Sequence, residues 1–351
     1  MIRVVLIGYG YAGRTFHAPL IRATSGLELV AIHSSNPERV HADLPGIVVM
    51  SSAEEACATR SADLVVVATP NDTHVPIATA ALHAGKHVVV EKPLAPTLAE
   101  ARDLVSLAQR NERVLAPFQN RRWDGDFLAL KDLLSRSVLG DVAHFESHFD
   151  RYRPQVRRRW RENAGAGAGL WYDFGPHLVD QALQLFGLPD RVMASVAMQR
   201  PAAQTDDWAH VILEYGRLRV VLHVSVLVAA RSPRFVVHGQ NGSWVKYGLD
   251  PQEQQLIAAL RPGHDAGGER ERAIHIDGAT GVENETPIPD GDYRRFYVQL
   301  RDAVDGTGSN PVPPAQALAV TAVVETARRS AAERRALPLP LTDVEARSFS
   351  A

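Results

Sequence analysis

The chain has 351 residues, with 38 Lys plus Arg against 40 Asp plus Glu and a formal charge of -2. That length suits two domains, and that balance excludes a global field for nucleic acid or an anionic membrane. The single cysteine, Cys57, excludes an internal disulfide framework, and the longest apolar stretch, 218–230, is broken by Arg219 and His223. A strand pattern starts almost at Met1, where a signal peptide would stand. The expectation is a cytoplasmic protein acting on a small molecule, with no nucleic-acid and no membrane partner.

The apolar run Val4-Val5-Leu6-Ile7 breaks into Gly8-Tyr9-Gly10-Tyr11-Ala12-Gly13, a strand ending in a glycine turn that opens a helix. Gly8 permits the tight turn, Gly10 lets the backbone approach a pyrophosphate, and Gly13 lets helix and strand sit close. Amides at the positive end of the helix would hold the phosphates. The helical pattern continues through Phe16, Leu20 and Ile21 with Pro19 inside it, which predicts a bent first helix. His17 suits either a cleft or a packing position. A second strand over 27–32 runs into His33-Ser34-Ser35-Asn36-Pro37-Glu38-Arg39. An NAD site places a carboxylate about 20 residues beyond the glycines to bind the ribose 2′-hydroxyl, and Ser34 and Ser35 offer none. Serine hydroxyls can donate to a 2′-phosphate and Arg39 can pair with it, so the coenzyme expected is NADP, with NAD possible. The alternative is a solvated turn with an exposed Arg39.

A continuous apolar strand over 63–68 ends in Thr69-Pro70-Asn71-Asp72-Thr73-His74, a polar loop at the carboxyl end of a strand, where open α/β sheets bind ligands. A plain helix-start turn is the other reading of those side chains. A helix over 75–84 stopped by Gly85 leads to a strand over 87–90 and then to Glu91-Lys92-Pro93. Three or four strands, each followed by a helix, predict a doubly wound parallel sheet through about residue 116. The first domain is thus a Rossmann dinucleotide-binding domain over 1–119. Residues 120–351 form a second α+β domain, and strands are expected over 142–149, 192–198, 209–215, 218–228, 235–238 and 243–247. Asn241-Gly242 signals a hairpin. Residues 261–289 read as a loop with a short hairpin around Asp277-Gly278, and helices over 293–305 and 315–335 close the chain. The fold class is α/β, with a largely antiparallel sheet in the second domain.

Between the sheets, a Gly/Ala run leads to Asp173-Phe174-Gly175-Pro176-His177. With Asp173 as helix cap, Pro176 falls in the first turn, and Asp173 and His177 share a face. A histidine at a helix start has its protonated form disfavoured by the dipole, which suits a proton carrier, whereas Asp173 could be a cap and nothing more. Hydride chemistry needs few protein groups. Lys92 could hydrogen-bond the reacting oxygen, His177 could carry the proton, and Asp173 could orient hydroxyls or the histidine. No His, Cys and carboxylate cluster suggests a metal.

At these residues the chain resembles the glucose-fructose oxidoreductase, inositol dehydrogenase and MocA family of NAD(P)-dependent enzymes. The motifs are Gly8 to Gly13, Thr69-Pro70-Asn71 with His74, Ala84-Gly85-Lys86-His87-Val88, Glu91-Lys92-Pro93 and Asp173-x-x-x-His177, in order along the whole chain. The resemblance implies that Lys92, Asp173 and His177 are the catalytic group and that Pro93 follows a cis bond, and the coenzyme contacts expected are Gly8 to Gly13, Ser34, Ser35, Arg39, Thr69, Pro70, Asn71, His74, Glu91, Lys92 and Pro93. Gly175-Pro176 departs from much of the wider family. A narrower resemblance, to NADP-dependent scyllo-inositol dehydrogenases, rests on Phe16-His17-Ala18-Pro19-Leu20, the run from Asn120 to Phe127, Asp150-Arg151-Tyr152-Arg153-Pro154, Arg159-Trp160-Arg161 and the run from Phe174 to Gln181. It implies a ring polyol and its ketone as substrates, with Asn120, Arg122, Tyr152 and Trp160 lining the cleft. The run from Arg151 to Arg161 also reads as a salt-bridged surface segment. The resemblance further implies a homodimer or homotetramer through the antiparallel sheet. Relatives on this fold include sugar-sensing regulators and NAD-dependent glycosidases, and these are the rival readings; the joint presence of Lys92, Asp173 and His177 speaks against the regulators, and Ser34 with Arg39 against the glycosidases.

Overall fold

The computed structural model describes residues 1–157, 159–263 and 272–350. Strand β1 (Ile2–Ile7) leads through a wide π-helical turn over Gly13–His17 into α1 (Ala18–Arg22), followed by β2 (Leu27–His33), α2 (Pro37–Asp43), β3 (Val48–Met50), α3 (Ala53–Ala58) and β4 (Leu64–Val67). Next come α4 (His74–His83), β5 (His87–Val90), α5 (Leu98–Arg110), β6 (Leu115–Pro117), α6 (Gly125–Ser135), β7 (Val142–Asp150) and α7 (Leu170–Phe186). Strands β8 (Arg191–Ala197), β9 (Trp208–Tyr215), β10 (Leu218–Ser225), β11 (Pro233–Gly239) and β12 (Gly242–Tyr247) precede α8 (Gln252–Ile257). The chain ends through β13 (Ala273–Asp277), β14 (Glu283–Thr286), α9 (Arg294–Val304), α10 (Pro314–Glu333) and α11 (Asp343–Ser350). Among the described residues no helix is long and apolar enough to cross a membrane.

Two compact units result: Met1–Asn120 with Pro251–Ala266 and Asp292–Leu318, and Arg121–Asp250 with Gly267–Gly291 and Ala319–Ala351. The sequence reading places everything after 119 in one second domain, but the segments carrying α8 and α9 pack with the first unit. Their contacts are specific. Gln252 accepts the Tyr293 N–H at 2.8 Å, and the Tyr293 ring meets Phe16 edge-on at 6.2 Å.

The first unit's sheet is parallel and six-stranded, in the order β3-β2-β1-β4-β5-β6. It exceeds the three or four strands read from the sequence because β3 and β6 are three residues each, too short to show a period. Val4 to Ile7, Leu64 to Val67 and Val88 to Val90 are wholly buried, each side chain contributing about 1.5–3 kcal/mol. Strand order reverses between β1 and β4, so the loops after β1 and β4 share the carboxyl edge at the switch point with the loop after β5 beside them. Helix starts carry their own signals: Asn36 caps α2 ahead of Pro37, and Thr97 and Glu100 cap α5 reciprocally. The irregularity expected at Pro19 falls on the preceding turn, Gly13–His17, so that Pro19 itself sits near the start of α1, where its missing N–H costs little.

The second unit's sheet has eight strands, in the order β14-β13-β12-β11-β7-β10-β9-β8, antiparallel except for the β7–β10 pair. On β7, Phe145, Ser147 and Phe149 turn to the buried face. Phe149 stacks on Phe174 of α7 at 4.8 Å, within a core that includes Trp171, Leu178, Val220 and Leu222. His144, Glu146, His148 and Asp150 alternate onto the other face. The expected hairpin between β11 and β12 forms one residue earlier than an Asn-Gly turn would place it. Gly239 pairs with Gly242, so Gln240 and Asn241 make the turn, while a Cβ at Gly242 would come within 2.3 Å of the Ile276 carbonyl oxygen. The glycine serves the neighbouring strand instead. The hairpin of β13 and β14 joins at residues 278–282. Residues 264–271 of the expected loop lie outside the described residues. Helices α6, α8 and α11 have no counterpart in the sequence reading.

Candidate functional site

Gly8 and Gly13 are demanded by the fold. Gly8 has a φ of +100°, and a Cβ there would sit 2.4 Å from the Ala68 carbonyl oxygen; at Gly13 it would sit 2.0 Å from the carbonyl oxygen of Gly8. Gly10 is different, because among the described residues beyond its own stretch of chain a Cβ there would meet no atom within 4 Å. Packing leaves that space open, and the space fits a group that approaches the backbone closely, as a pyrophosphate does. Tyr9 is buried with its hydroxyl hydrogen-bonded to Asp43, and burial, with that carboxylate, pushes its pKa up to about 12. Its side chain therefore serves the fold, leaving the backbone for a coenzyme. Tyr11 is exposed and donates to Glu253 at 2.7 Å, and Ala12 opens the helical turn. In the loop after β2, Ser34 Oγ accepts the Asn36 N–H at 3.1 Å and Asn36 caps α2 by accepting from Arg39 N at 2.9 Å. Ser35 and the Arg39 side chain are exposed.

The loops after β4 and β5 are tied together by His74. Its ring is buried, with Nε2 3.0 Å from the Thr69 carbonyl oxygen and Nδ1 2.9 Å from that of Pro93. Burial outweighs both carbonyls and holds this histidine below its ordinary pKa, so the neutral ring donates to one of them. This corrects the reading of His74 as a coenzyme contact: both nitrogens are taken by backbone, and it can act only by positioning Thr69, Pro70 and Pro93. Asn71 is buried at the start of a short turn leading into α4. Glu91 is likewise a support. It accepts from His17 Nε2 at 3.0 Å and from the Lys92 N–H at 3.1 Å, while the Tyr297 hydroxyl lies 2.6 Å from His17 Nδ1. Burial alone would raise Glu91, but the bond and charge of His17 and the charge of Lys92 bring it below its ordinary value. His17 is thus a packing residue. Lys92 is half-buried, and its bond to Pro93 is cis, as the resemblance implies.

In the second unit α7 begins at Leu170, not Asp173. Asp206, distant in sequence, supplies the cap: its carbonyl oxygen accepts from Leu170 N at 2.8 Å and its carboxylate from Trp171 N at 2.7 Å. Gly169, at a φ of +108°, leaves room for it, since a Cβ would lie 2.1 Å from Asp206 Oδ1. Pro176 consequently lies inside the helix, and His177 lies two turns from its start, beyond the reach of the dipole argument. Asp173 and His177 do share one face. Arg161 Nε lies 3.2 Å from Asp173 Oδ1, and His177 is nearly buried one turn further. The next turn bears Asp180, which takes Arg122 in a buried fork at 2.8 and 2.6 Å, and Gln181, which donates to the Arg121 carbonyl. Arg122, expected to face substrate, closes its fork on Asp180 and holds the 120–123 turn to α7. Asn120 is buried in that turn.

Trp160 is half-buried with the Arg161 guanidinium 4.5 Å from its ring centre, next to the Arg161–Asp173 pair. Tyr152 is exposed and its backbone bridges to Leu227. Glu162 gathers Arg159, Arg200 and the Arg157 N–H, and Arg151 lies over the Phe174 ring. Burial and the neighbouring Arg151, Arg157 and Arg159 push Arg153 down to about 10. Arg161 and Asp206 escaped the sequence reading: Arg161 stood in a run of arginines with no mark of its partner, and Asp206 caps a helix 36 residues away. A cleft of about 480 Å³ beside the helix start, walled by Ala166, Tyr172, Met198 and Arg328, includes neither Asp173 nor His177. The sequence reading expects no metal cluster, yet His148, Asp150 and His223 come together on β7 and β10.

Comparison with known proteins covers both units. A family model described as an oxidoreductase family with an NAD-binding Rossmann fold matches residues 2–118, and one described as the GFO/IDH/MocA C-terminal domain matches residues 127–245. The uncharacterized oxidoreductase YdgJ of Escherichia coli (strain K12) is 52% identical over 96% of this chain and 99% of its own. The scyllo-inositol 2-dehydrogenase (NADP(+)) IolW of Bacillus subtilis (strain 168) is 36% identical over 96% of each. A crystal structure of an oxidoreductase from Klebsiella pneumoniae superposes with a TM-score of 0.93 at 47% identity, covering 99% of this chain and 98% of that one.

Proposed function

The chain belongs to the GFO/IDH/MocA family as an NAD(P)-binding oxidoreductase, and from that premise we propose that it interconverts a ring polyol and its ketone, with scyllo-inositol as the type substrate and NADP as coenzyme. The observation that carries this reading is the shared face of α7, where Asp173, anchored by Arg161, and the nearly buried His177 stand one turn apart. The likeness to the Bacillus subtilis NADP-dependent enzyme supports the substrate and the coenzyme. When bound, the nicotinamide supplies the hydride acceptor or donor. Lys92 donates a hydrogen bond to the reacting oxygen and stabilises the negative charge it acquires as its proton leaves. His177 takes that proton in oxidation and returns it in reduction, and Asp173 accepts hydrogen bonds from neighbouring substrate hydroxyls. The amides of Gly8 to Gly13 bind the pyrophosphate, Ser34, Ser35 and Arg39 the 2′-phosphate, and Thr69 to Asn71 wall the nucleotide.

The test is a panel of inositols and aldoses assayed with NADP and NAD on the wild type, Lys92→Ala and Arg39→Ala. The expected result is turnover of scyllo-inositol with NADP and a loss of about 100-fold or more in kcat for Lys92→Ala. Arg39→Ala should raise the NADP KM by about tenfold or more and leave that for NAD unchanged. An inert scyllo-inositol beside an active aldose removes the inositol assignment; full turnover by Lys92→Ala removes the catalytic group.

A further inference from the structure

We infer that the second unit's sheet carries, on the face opposite α7, a site for a late first-row divalent cation of the zinc type, ligated by His148, Asp150 and His223. The parallel register of β7 and β10 sets His148 directly beside His223, and Asp150 follows two residues along on the same face. His148 Nδ1 lies 3.4 Å from Asp150 Oδ2, His223 Nε2 lies 3.6 Å from Asp150 Oδ1, and one donor atom from each of the three falls within 4.8 Å of the others. Ligands about 2.0–2.1 Å from a tetrahedral ion stand roughly 3.3 Å apart, which these separations approach. Among the described residues His148 Nδ1 and Asp150 Oδ1 are buried without a hydrogen-bond partner, and the Asp150 side chain is only 6% exposed. His148 Nδ1 faces Asp150 Oδ2 and Asp150 Oδ1 faces His223 Nε2, both beyond normal hydrogen-bond length or geometry, and buried polar atoms left so are costly unless a ligand meets them.

The surroundings are arranged as a metal site requires. His148 gives its other nitrogen, Nε2, to Glu146 Oε2 at 2.8 Å, and a carboxylate acceptor places the proton there and leaves the Nδ1 lone pair for an ion. His223 Nδ1 lies 3.3 Å from His210 Nδ1, which leaves Nε2 directed at the cluster when Nδ1 donates. Ser232 Oγ donates to Asp150 Oδ2 at 2.8 Å. Two imidazoles and one carboxylate suit zinc and its neighbours, whereas calcium and magnesium take oxygen. The fourth position would hold water. An ion here pins β7 to β10, the one parallel pair of the sheet among the described residues, and stands across the sheet from the Phe149–Phe174 stack, so its role is structural.

The full-length protein is stripped with chelator, reloaded with Zn2+ at micromolar free concentration, desalted and assayed for bound metal, with Co2+ absorption reporting the coordination. The wild type should hold one equivalent, give a tetrahedral Co2+ spectrum and melt at higher temperature with metal than with chelator. Asp150→Asn, His148→Ala and His223→Ala should each weaken binding by about 100-fold or more, Glu146→Gln by about 10- to 100-fold, and His238→Ala, on the same face but outside the cluster, not at all. Circular dichroism establishes that each variant is folded, and the near-isosteric Asp150→Asn serves should a histidine variant fail to fold. Less than a tenth of an equivalent in the wild type, or equal binding by the wild type and folded Asp150→Asn, overturns the site.

Discussion

At the scale of single residues, the three glycines of the first turn divide by what each would touch. A Cβ at Gly13 would lie 2.0 Å from the Gly8 carbonyl oxygen, so Gly13→Ala must displace backbone and is expected to cost about 1–3 kcal/mol, seen as a lower Tm. A Cβ at Gly10 meets open space, so Gly10→Ala should leave stability within about 0.5 kcal/mol and instead raise the coenzyme KM several-fold. An unchanged coenzyme KM in Gly10→Ala would show that no phosphate approaches there. His74 and Glu91 make the opposite point. Both belong to motifs read from the sequence as coenzyme contacts, and both prove to be occupied by neighbours within the fold. A motif marks that a residue matters without saying what it touches.

At the scale of one element, α7 shows how a cap is assigned. Asp173 has the residue type and position that a helix cap favours, but Asp206 holds the first amides and reaches Arg328 at 2.7 Å. Asp206→Ala is therefore expected to cost about 1–2 kcal/mol and lower the Tm, while Asp173→Ala should leave the Tm nearly unchanged and depress turnover. Thermal melts of the two variants decide it, and a larger Tm loss in Asp173→Ala would return the cap to Asp173. With the helix start moved three residues, Asp173 is freed to meet Arg161. The proton-carrying role proposed for His177 must then rest on its surroundings and not on the helix dipole.

At the scale of the whole molecule, stability should depend on pH through groups buried in the first unit. His74 is held below its ordinary value by burial, with Glu91 and Lys92 as its charged neighbours, so the unfolded chain binds a proton that the folded chain refuses. Stability is then fully present above about pH 6.5 and declines as pH falls below it. Glu91, also held low, adds a second loss as pH falls below about 4.5. The Tm should drop between pH 7 and 5 in the wild type and less in His74→Asn; equal slopes would remove His74 from the account. Much of the molecule was legible in the chain. The parallel strands of the first sheet, the glycine turn, the placement of Lys92 at a strand's carboxyl end and the one-turn spacing of Asp173 and His177 follow from apolar runs, from glycine and proline and from helical period, which are local properties. Tertiary structure alone decided that α8 and α9 join the first unit, that Asp206 caps α7, that Arg122 closes on Asp180, and that His148, Asp150 and His223 meet. Each of these pairs residues far apart in sequence, and such pairings follow from strand register and packing, which no local pattern records.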